Sequence, residues 1–111
     1  MGESGVNLLD RHCRAGAPRL SAEESAGLAR QVPDWKMHDG RLEKTFPFPD
    51  FRAALEFVNR LGAVAEEEGH HPDIHLGWGR VGIQLSTHDA GGLTENDFIL
   101  AAKADRTHSS R

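Results

Sequence analysis

Apolar residues change their spacing along the chain, and each change predicts a different element. Between residues 51 and 65 they recur every three or four positions, which is the period of one face of a helix. This stretch follows Pro47 and Pro49, which end the segment before it. The sequence therefore predicts a long helix that ends in an acidic turn at residues 66–68. Its apolar positions are Phe51, Ala54, Leu55, Val58, Leu61, Gly62 and Ala65.

A second apolar line widens the face of this helix. It consists of Phe57, Leu61 and Val64, and it exceeds what packing against one sheet requires. Two interpretations remain open. Either the helix also faces another subunit, or it is deeply embedded in a single domain.

Alternation with a period of two predicts two hairpins. In the first, residues 35–38 and 42–46 flank Asp39-Gly40, a dipeptide that favours the positive φ angles of a tight turn. These two segments are therefore expected to pair as antiparallel strands.

The second hairpin follows Pro72, and we interpret Gly79-Arg80 as its two-residue turn. Apolar residues then face each other on one side of both strands. Extending this register to the strand ends places His71 opposite His88, so that His70, His71 and His88 meet. The predicted pairs are Trp78 with Val81, Leu76 with Ile83, Ile74 with Leu85, His75 with Gln84 and Asp73 with Ser86.

Two shorter helices are predicted from capping boxes, in which a Ser or Thr and an acidic residue satisfy each other's backbone amides. The resulting order, α-β-β-α-β-β-α, favours an α+β fold with a four-stranded antiparallel sheet and helices packed on one face. The two helices cover about 21–31, beginning at Ser21 and Glu24, and about 94–105, beginning at Thr94 and Asp97.

The first twenty residues lack sustained periodicity, and we predict an N-terminal arm over 1–20 that is flexible or loosely docked. Residues 21–111 are expected to form one domain, as the total of 111 residues also indicates.

Composition restricts the function classes. A net charge of −4 disfavours nucleic-acid binding, and no apolar run has the length of a membrane span or secretory signal. Cys13 is the only cysteine, which excludes an internal disulfide and favours a reducing compartment. A cytoplasmic protein is the simplest expectation.

The predicted histidine cluster could serve acid–base chemistry, because imidazole has an unperturbed pKa of about 6.5. Glu66 lies four residues before His70 and is within reach of it if the helix continues that far. A zinc site that also uses His75 is an alternative, but Pro72 prevents His71 and His75 from sharing a helix face and no cysteine is close in sequence. Histidines without a function are a further alternative.

Two segments of the chain resemble the pterin-4a-carbinolamine dehydratases. They are Glu66–Asp73, which contains His-His-Pro, and Leu85–Thr94, with Thr-His-Asp-Ala-Gly-Gly-Leu-Thr; an aromatic residue, Trp78, lies between them. The likeness extends over nearly everything from Leu20 to Asp105. It departs from the family at Trp78, where many relatives have tyrosine, and in the N-terminal arm, which matches only faintly.

The resemblance implies dehydration of 4a-hydroxytetrahydropterin to quinonoid dihydropterin, which recycles tetrahydropterin for an aromatic amino acid hydroxylase. It implies His70 and His88 as the acid–base pair, His71 as an anchor for the ring, and Glu66 as the carboxylate that orients His70. Pterin is the substrate, and neither a metal nor an organic cofactor is expected. The other implied substrate-binding residues are Pro72, Ser86, Thr87, Asp89 and Trp35, although a core position is the commoner use of a tryptophan.

The family also implies a homodimer or homotetramer. Because some members bind and stabilise the dimer of a homeodomain transcription factor, a non-catalytic pterin-binding or protein-interaction module is the alternative function.

Overall fold

A computed structural model describes residues 7–110 and shows the predicted order of helices and strands. Short 3₁₀ turns at Leu8–Asp10 and His88–Ala90 are additional to that order. The main elements are α1 (Ala22–Ala29), β1 (Lys36–His38), β2 (Arg41–Pro47), α2 (Phe51–Glu68), β3 (Asp73–Gly77), β4 (Arg80–Leu85) and α3 (Glu95–Ser109).

The four strands form one antiparallel sheet in the order β1-β2-β4-β3. One side of the sheet is covered by α2 and α3. The residues buried on this side are Leu42 and Phe46 of β2 and Val81, Ile83 and Leu85 of β4. The predicted α+β fold is therefore confirmed. The largest buried side chains of the core are Phe46, Phe57, Phe98, Leu8, Leu42, Leu61, Ile83, Leu85, Ile99 and Leu100.

The first hairpin turns at Asp39-Gly40, as predicted. Both residues have positive φ, 50° for Asp39 and 73° for Gly40. Such a turn matches the right-handed twist of its strands, so that Lys36 pairs with Glu43 and His38 with Arg41.

The second hairpin has a register two residues away from the predicted one. Leu76 pairs with Val81 because the turn is Trp78-Gly79, with Gly79 at φ 74°. Glycine takes the left-handed position that a tryptophan would occupy only with strain, and Trp78 lies in the turn, 73% exposed. The predicted residue pairs were wrong, but a shift of two residues leaves every side chain on the side of the sheet that was predicted for it. Extended to the strand ends, the observed register brings His71 level with Ser86 instead of His88.

Helix α2 begins at its N-cap Asp50 and ends at Gly69, whose φ of 67° places it in the left-handed region. Phe57 and Leu61 are fully buried in the core, and Val64 packs against it. The second apolar line therefore faces inward, which supports the deeply embedded helix for these positions. Both predicted capping boxes are also present, at Ser21 with Glu24 and at Thr94 with Asp97.

The described part of the N-terminal arm, residues 7–20, packs against the domain, where loose docking or flexibility was predicted. Leu8 is fully buried in the core, and the backbone amide of Leu20 donates to the carbonyl of Leu93 over 2.8 Å. A separate arm unit over 1–20 stays a prediction, since residues 1–6 lie outside the described residues.

Within residues 7–110, no helix combines the length and the apolar character that crossing a bilayer requires.

Candidate active site

The most buried side-chain contact of the histidine cluster joins His70 to Asp97. Nε2 of His70 lies 2.6 Å from Oδ1 of Asp97, and the two side chains are 13% and 0% exposed. An ionised carboxylate only accepts hydrogen bonds, so Nε2 of His70 carries the proton and donates it. Nδ1 of His70 is then left to accept or deliver a proton elsewhere.

The other oxygen of Asp97 is also bonded. Oδ2 accepts from the Thr87 hydroxyl over 2.8 Å and from the Thr94 backbone amide over 3.0 Å. Since Thr87 donates to Asp97, its oxygen accepts from the Thr94 hydroxyl, 2.8 Å away. The carboxylate is thus fixed at the beginning of α3, and it fixes the imidazole in turn.

Sequence reasoning did not identify Asp97 as a site residue. The capping-box pattern placed it at the start of α3, but only the packing of α2 against α3 brings it beside His70, 27 positions earlier.

Glu66 contacts His71, not His70. Oε2 of Glu66 lies 2.5 Å from Nε2 of His71, and the two side chains are 78% and 59% exposed. The predicted pairing of Glu66 with His70 fails because α2 stops at Glu68. The left-handed Gly69 then turns the chain, which directs His70 toward α3 and returns His71 over the last turn of α2.

The loop after β4 carries the third predicted histidine. His88 and Asp89 are exposed on a 3₁₀ turn, which Gly91 ends at φ 73°. The backbone amide of Thr87 donates a hydrogen bond to the carbonyl of Gly92 over 3.2 Å, and this bond closes the base of the loop. The loop therefore presents His88 and Asp89 from a tight support at the end of the sheet.

A cavity of about 680 Å³ adjoins the His70–Asp97 pair. His70, Thr87 and Asp89 form one side of it, whereas His71 and His88 lie outside its lining. Only some of the predicted site residues therefore line the cavity, and the exposed side chains of His71 and His88 lie at the surface outside it.

Residues 13–19 of the arm form the opposite side of this cavity. The faint family likeness of the arm gave no indication of that position.

Three other predicted substrate-binding residues have different environments. Pro72 and Ser86 are half-buried beside the histidines in sequence. Trp35 lies in the core, where Nε1 donates to Asp105 over 3.1 Å and the ring packs edge-on against Phe46. The structure thus places Trp35 in the core position that is common for tryptophan, away from the cavity lining.

The zinc alternative requires four histidines to converge, namely His70, His71, His75 and His88. His70 and His71 are directed at different carboxylates, and residues 7–110 contain no group of three or more His, Cys, Asp or Glu side chains arranged to hold a metal.

A second buried carboxylate, Glu68, also lines the cavity, and it binds the N-terminal arm. It accepts from Lys103 Nζ over 2.6 Å, from the Cys13 backbone amide over 2.8 Å and from His12 Nδ1 over 2.9 Å. Burial alone would raise the pKa of Glu68, but these hydrogen bonds outweigh it and lower the pKa to about 2. Burial, followed by the charge of Glu68, raises the pKa of the Cys13 thiol to about 12.

The sequence matches a family model described as pterin 4 alpha carbinolamine dehydratase over residues 18–107. The chain therefore belongs to this family, as the histidine motifs suggested.

Two curated relatives carry the name "Putative pterin-4-alpha-carbinolamine dehydratase". The protein from Rubrobacter xylanophilus is 54% identical over 95 residues, which is 85% of this chain and 89% of the relative. The protein from Syntrophotalea carbinolica is 54% identical over 97 residues, with 84% and 87% covered.

Solved structures show the same fold. A transcriptional coactivator/pterin dehydratase from Brucella melitensis superposes with a TM-score of 0.77 at 30% identity, covering 81% of this chain and 98% of that one. A pterin dehydratase-like protein, described as a RuBisCO assembly factor in the alpha-carboxysome, superposes with a TM-score of 0.58 at 28% identity, covering 69% and 89%.

Proposed function

We propose that the protein dehydrates 4a-hydroxytetrahydropterin to quinonoid dihydropterin, with histidines as the acid and base. The observation that carries this proposal is the buried His70–Asp97 pair at the edge of a cavity, in a chain of the pterin-4a-carbinolamine dehydratase family. The cavity volume lies within the range of about 300–1,000 Å³ that is usual for small-molecule sites.

The reaction needs one proton delivered and one removed. The bond between C4a and its hydroxyl oxygen breaks, and the hydroxyl group leaves as water after it is protonated. The lone pair of the neighbouring ring nitrogen forms the new C=N bond, and a proton then leaves a ring nitrogen. Groups that titrate near neutral pH are suited to both transfers.

In this proposal the hydrogen bond from His70 to Asp97 prepares the imidazole for proton transfer. The carboxylate fixes the tautomer with the proton on Nε2, directs Nδ1 away from α3 and stabilises the imidazolium that forms when His70 accepts a proton. His70 and His88 are the proposed acid–base pair. His88, on the exposed loop, exchanges its proton with solvent between turnovers.

His71 is proposed to anchor the pterin ring, with Glu66 as its orienting carboxylate. Pro72, Ser86, Thr87 and Asp89 would complete the substrate contacts. The tetrahydropterin regenerated in this way would serve an aromatic amino acid hydroxylase, and the working form would be a homodimer or homotetramer.

The alternative is a module that binds a pterin or a protein without turnover. It is favoured by the two solved structures, whose descriptions include a transcriptional coactivator and a RuBisCO assembly factor. Those roles belong to those proteins.

The test is the decay of the carbinolamine absorbance after 4a-hydroxytetrahydropterin is generated in solution. Acceleration by the wild-type protein above the uncatalysed rate supports the dehydratase. If the protein binds a dihydropterin but leaves this decay unchanged, the binding-module alternative is correct. In His88→Ala, turnover is expected to fall by about 10²-fold or more, and a rate within about threefold of wild type would exclude the acid–base role of His88.

A further inference from the structure

The cavity beside His70 has two walls, which come from different parts of the chain. One wall carries His70, Thr87 and Asp89, and the other is the arm segment 13–19. The family match begins at residue 18, so most of this second wall lies outside it. A pterin bound against His70 would consequently have the arm on its other side.

The arm wall is fixed by buried polar groups. The Cys13 amide donates to Glu68 over 2.8 Å, while Asn96 forms two hydrogen bonds with the backbone of Arg14, at 3.0 and 2.7 Å. Glu68 and Asn96 are themselves buried. Anchors of this kind hold a defined backbone position, as a substrate-binding wall requires.

Among residues 7–110, Arg19 is the basic residue of this wall whose side chain has no protein partner. The guanidinium of Arg14 pairs with Glu95 over 2.9 Å, whereas Arg19 has no hydrogen bond or ion pair within residues 7–110. Its side chain rests on Gly92, where an added Cβ would be 2.9 Å from Arg19 Nε. Gly92 closes the loop that carries Thr87 and His88, so Arg19 lies beside the proposed chemistry.

We propose that segment 13–19 is the second wall of the pterin site and that Arg19 positions the substrate by donating hydrogen bonds to the carbonyl oxygen of its pyrimidine ring. This inference rests on the proposed function. A planar guanidinium suits planar acceptors, and the carbonyl carbon of a pterin is bonded directly to C4a. Holding the carbonyl at Arg19 therefore keeps C4a within the cavity that His70 faces.

The first test compares Arg19→Ala and Arg19→Lys with wild type in the dehydration assay. Loss of a charge-assisted hydrogen bond is expected to raise KM about 10- to 100-fold in Arg19→Ala, with kcat within about threefold. Arg19→Lys should recover part of the loss, because lysine keeps the charge without the planar fork. Arg30→Ala, which removes an exposed arginine at the end of α1, is the matched control and should behave as wild type.

Gly92→Ala provides a coupled test. Gly92 does not have positive φ, so the backbone accepts alanine, but the new Cβ displaces the Arg19 side chain. Gly92→Ala is expected to raise KM as Arg19→Ala does, and the double variant should match either single variant. Fully additive effects would mean that Gly92 and Arg19 act independently, which contradicts the proposal.

Calorimetric binding of 7,8-dihydropterin separates this inference from the dehydratase proposal. A wild-type protein that binds without turnover would refute the dehydratase, and a Kd at least about 10-fold weaker in Arg19→Ala would still support the arm wall. A Kd and KM within about twofold of wild type in Arg19→Ala would overturn the arm wall and leave the dehydratase standing. Absence of pterin binding by the wild type would overturn the arm wall as well.

Discussion

The imidazole of His70 and the carboxylate of Asp97 lie 2.6 Å apart, although 27 positions separate them in the chain. Their contact joins the end of α2 to the beginning of α3, and both partners are largely shielded from water. Because water screens charges less at a buried site, the carboxylate of Asp97 acts on proton transfer at His70 more strongly than an exposed carboxylate would.

Asp97→Asn tests this relationship. The amide is close in shape but carries no charge, so it stabilises the imidazolium less and permits the other tautomer of His70. We expect kcat to fall about 10²-fold or more. The measurement is steady-state dehydration together with a thermal melt, because Asp97 also caps α3. A kcat within about threefold of wild type would show that His70 does not need this carboxylate.

Glu66→Gln is the matched comparison. Glu66 pairs with the exposed His71, where solvent screens the interaction, so kcat should change by no more than a few fold. The contrast with Asp97→Asn is informative because the sequence alone favoured Glu66 as the partner of His70. A loss in Glu66→Gln as large as in Asp97→Asn would restore that earlier assignment.

The lowered pKa of Glu68 leads us to expect that the folded protein loses stability in acid. The pKa of Glu68 is about 2 in the fold, against an ordinary 4.5, so the unfolded chain takes up the proton first as the pH falls. The stabilisation is complete above pH 4.5 and is lost as the pH falls from there toward 2. Urea unfolding from about pH 6 to about pH 3 should show the wild-type advantage over Glu68→Gln shrinking across this window.

Glu67→Gln is the control for that experiment, because Glu67 is the exposed neighbour in the same helical turn. Its free energy of unfolding should follow wild type at each pH. If the difference between wild type and Glu68→Gln stays constant as the pH falls, the three-donor contact at Glu68 does not hold in solution.

Cys13 reports whether the arm is docked. Its pKa of about 12, compared with 9.0 for an ordinary thiol, leaves roughly 10³-fold less thiolate near neutral pH. Alkylation by iodoacetamide should therefore be much slower in the native protein than in urea, and Glu68→Gln should accelerate it. The single cysteine makes the readout unambiguous. Equal rates in native and unfolded protein would contradict a docked arm.

Local sequence signals predicted most of the fold because they act over a few residues. Asp39-Gly40 formed its turn, and Ser21 with Glu24 formed its capping box. The predicted register of the second hairpin was wrong by two residues because Gly79 could occupy either of two positions in the turn. Which position it takes depends on the packing of the whole hairpin.

Sequence reasoning assigned His70, Thr87 and Asp89 to one site, and all three line the same cavity, but it missed the partners that tertiary packing supplies. The pattern identified His70 and His71, but it paired Glu66 with His70 because a continuing helix brings residues four apart together. Gly69 ends that helix, which redirects both histidines. Asp97 and the arm contribute through tertiary packing, for which a single sequence has no periodic signal.

The most direct measurement of the central claim is the dehydration rate of 4a-hydroxytetrahydropterin with wild-type protein and with His70→Ala. The structure predicts acceleration by the wild type, and a kcat lowered about 10²- to 10⁴-fold in a His70→Ala protein that still melts cooperatively. Equal rates for the folded variant and the wild type would contradict the assignment of His70 and Asp97 as the site of proton transfer.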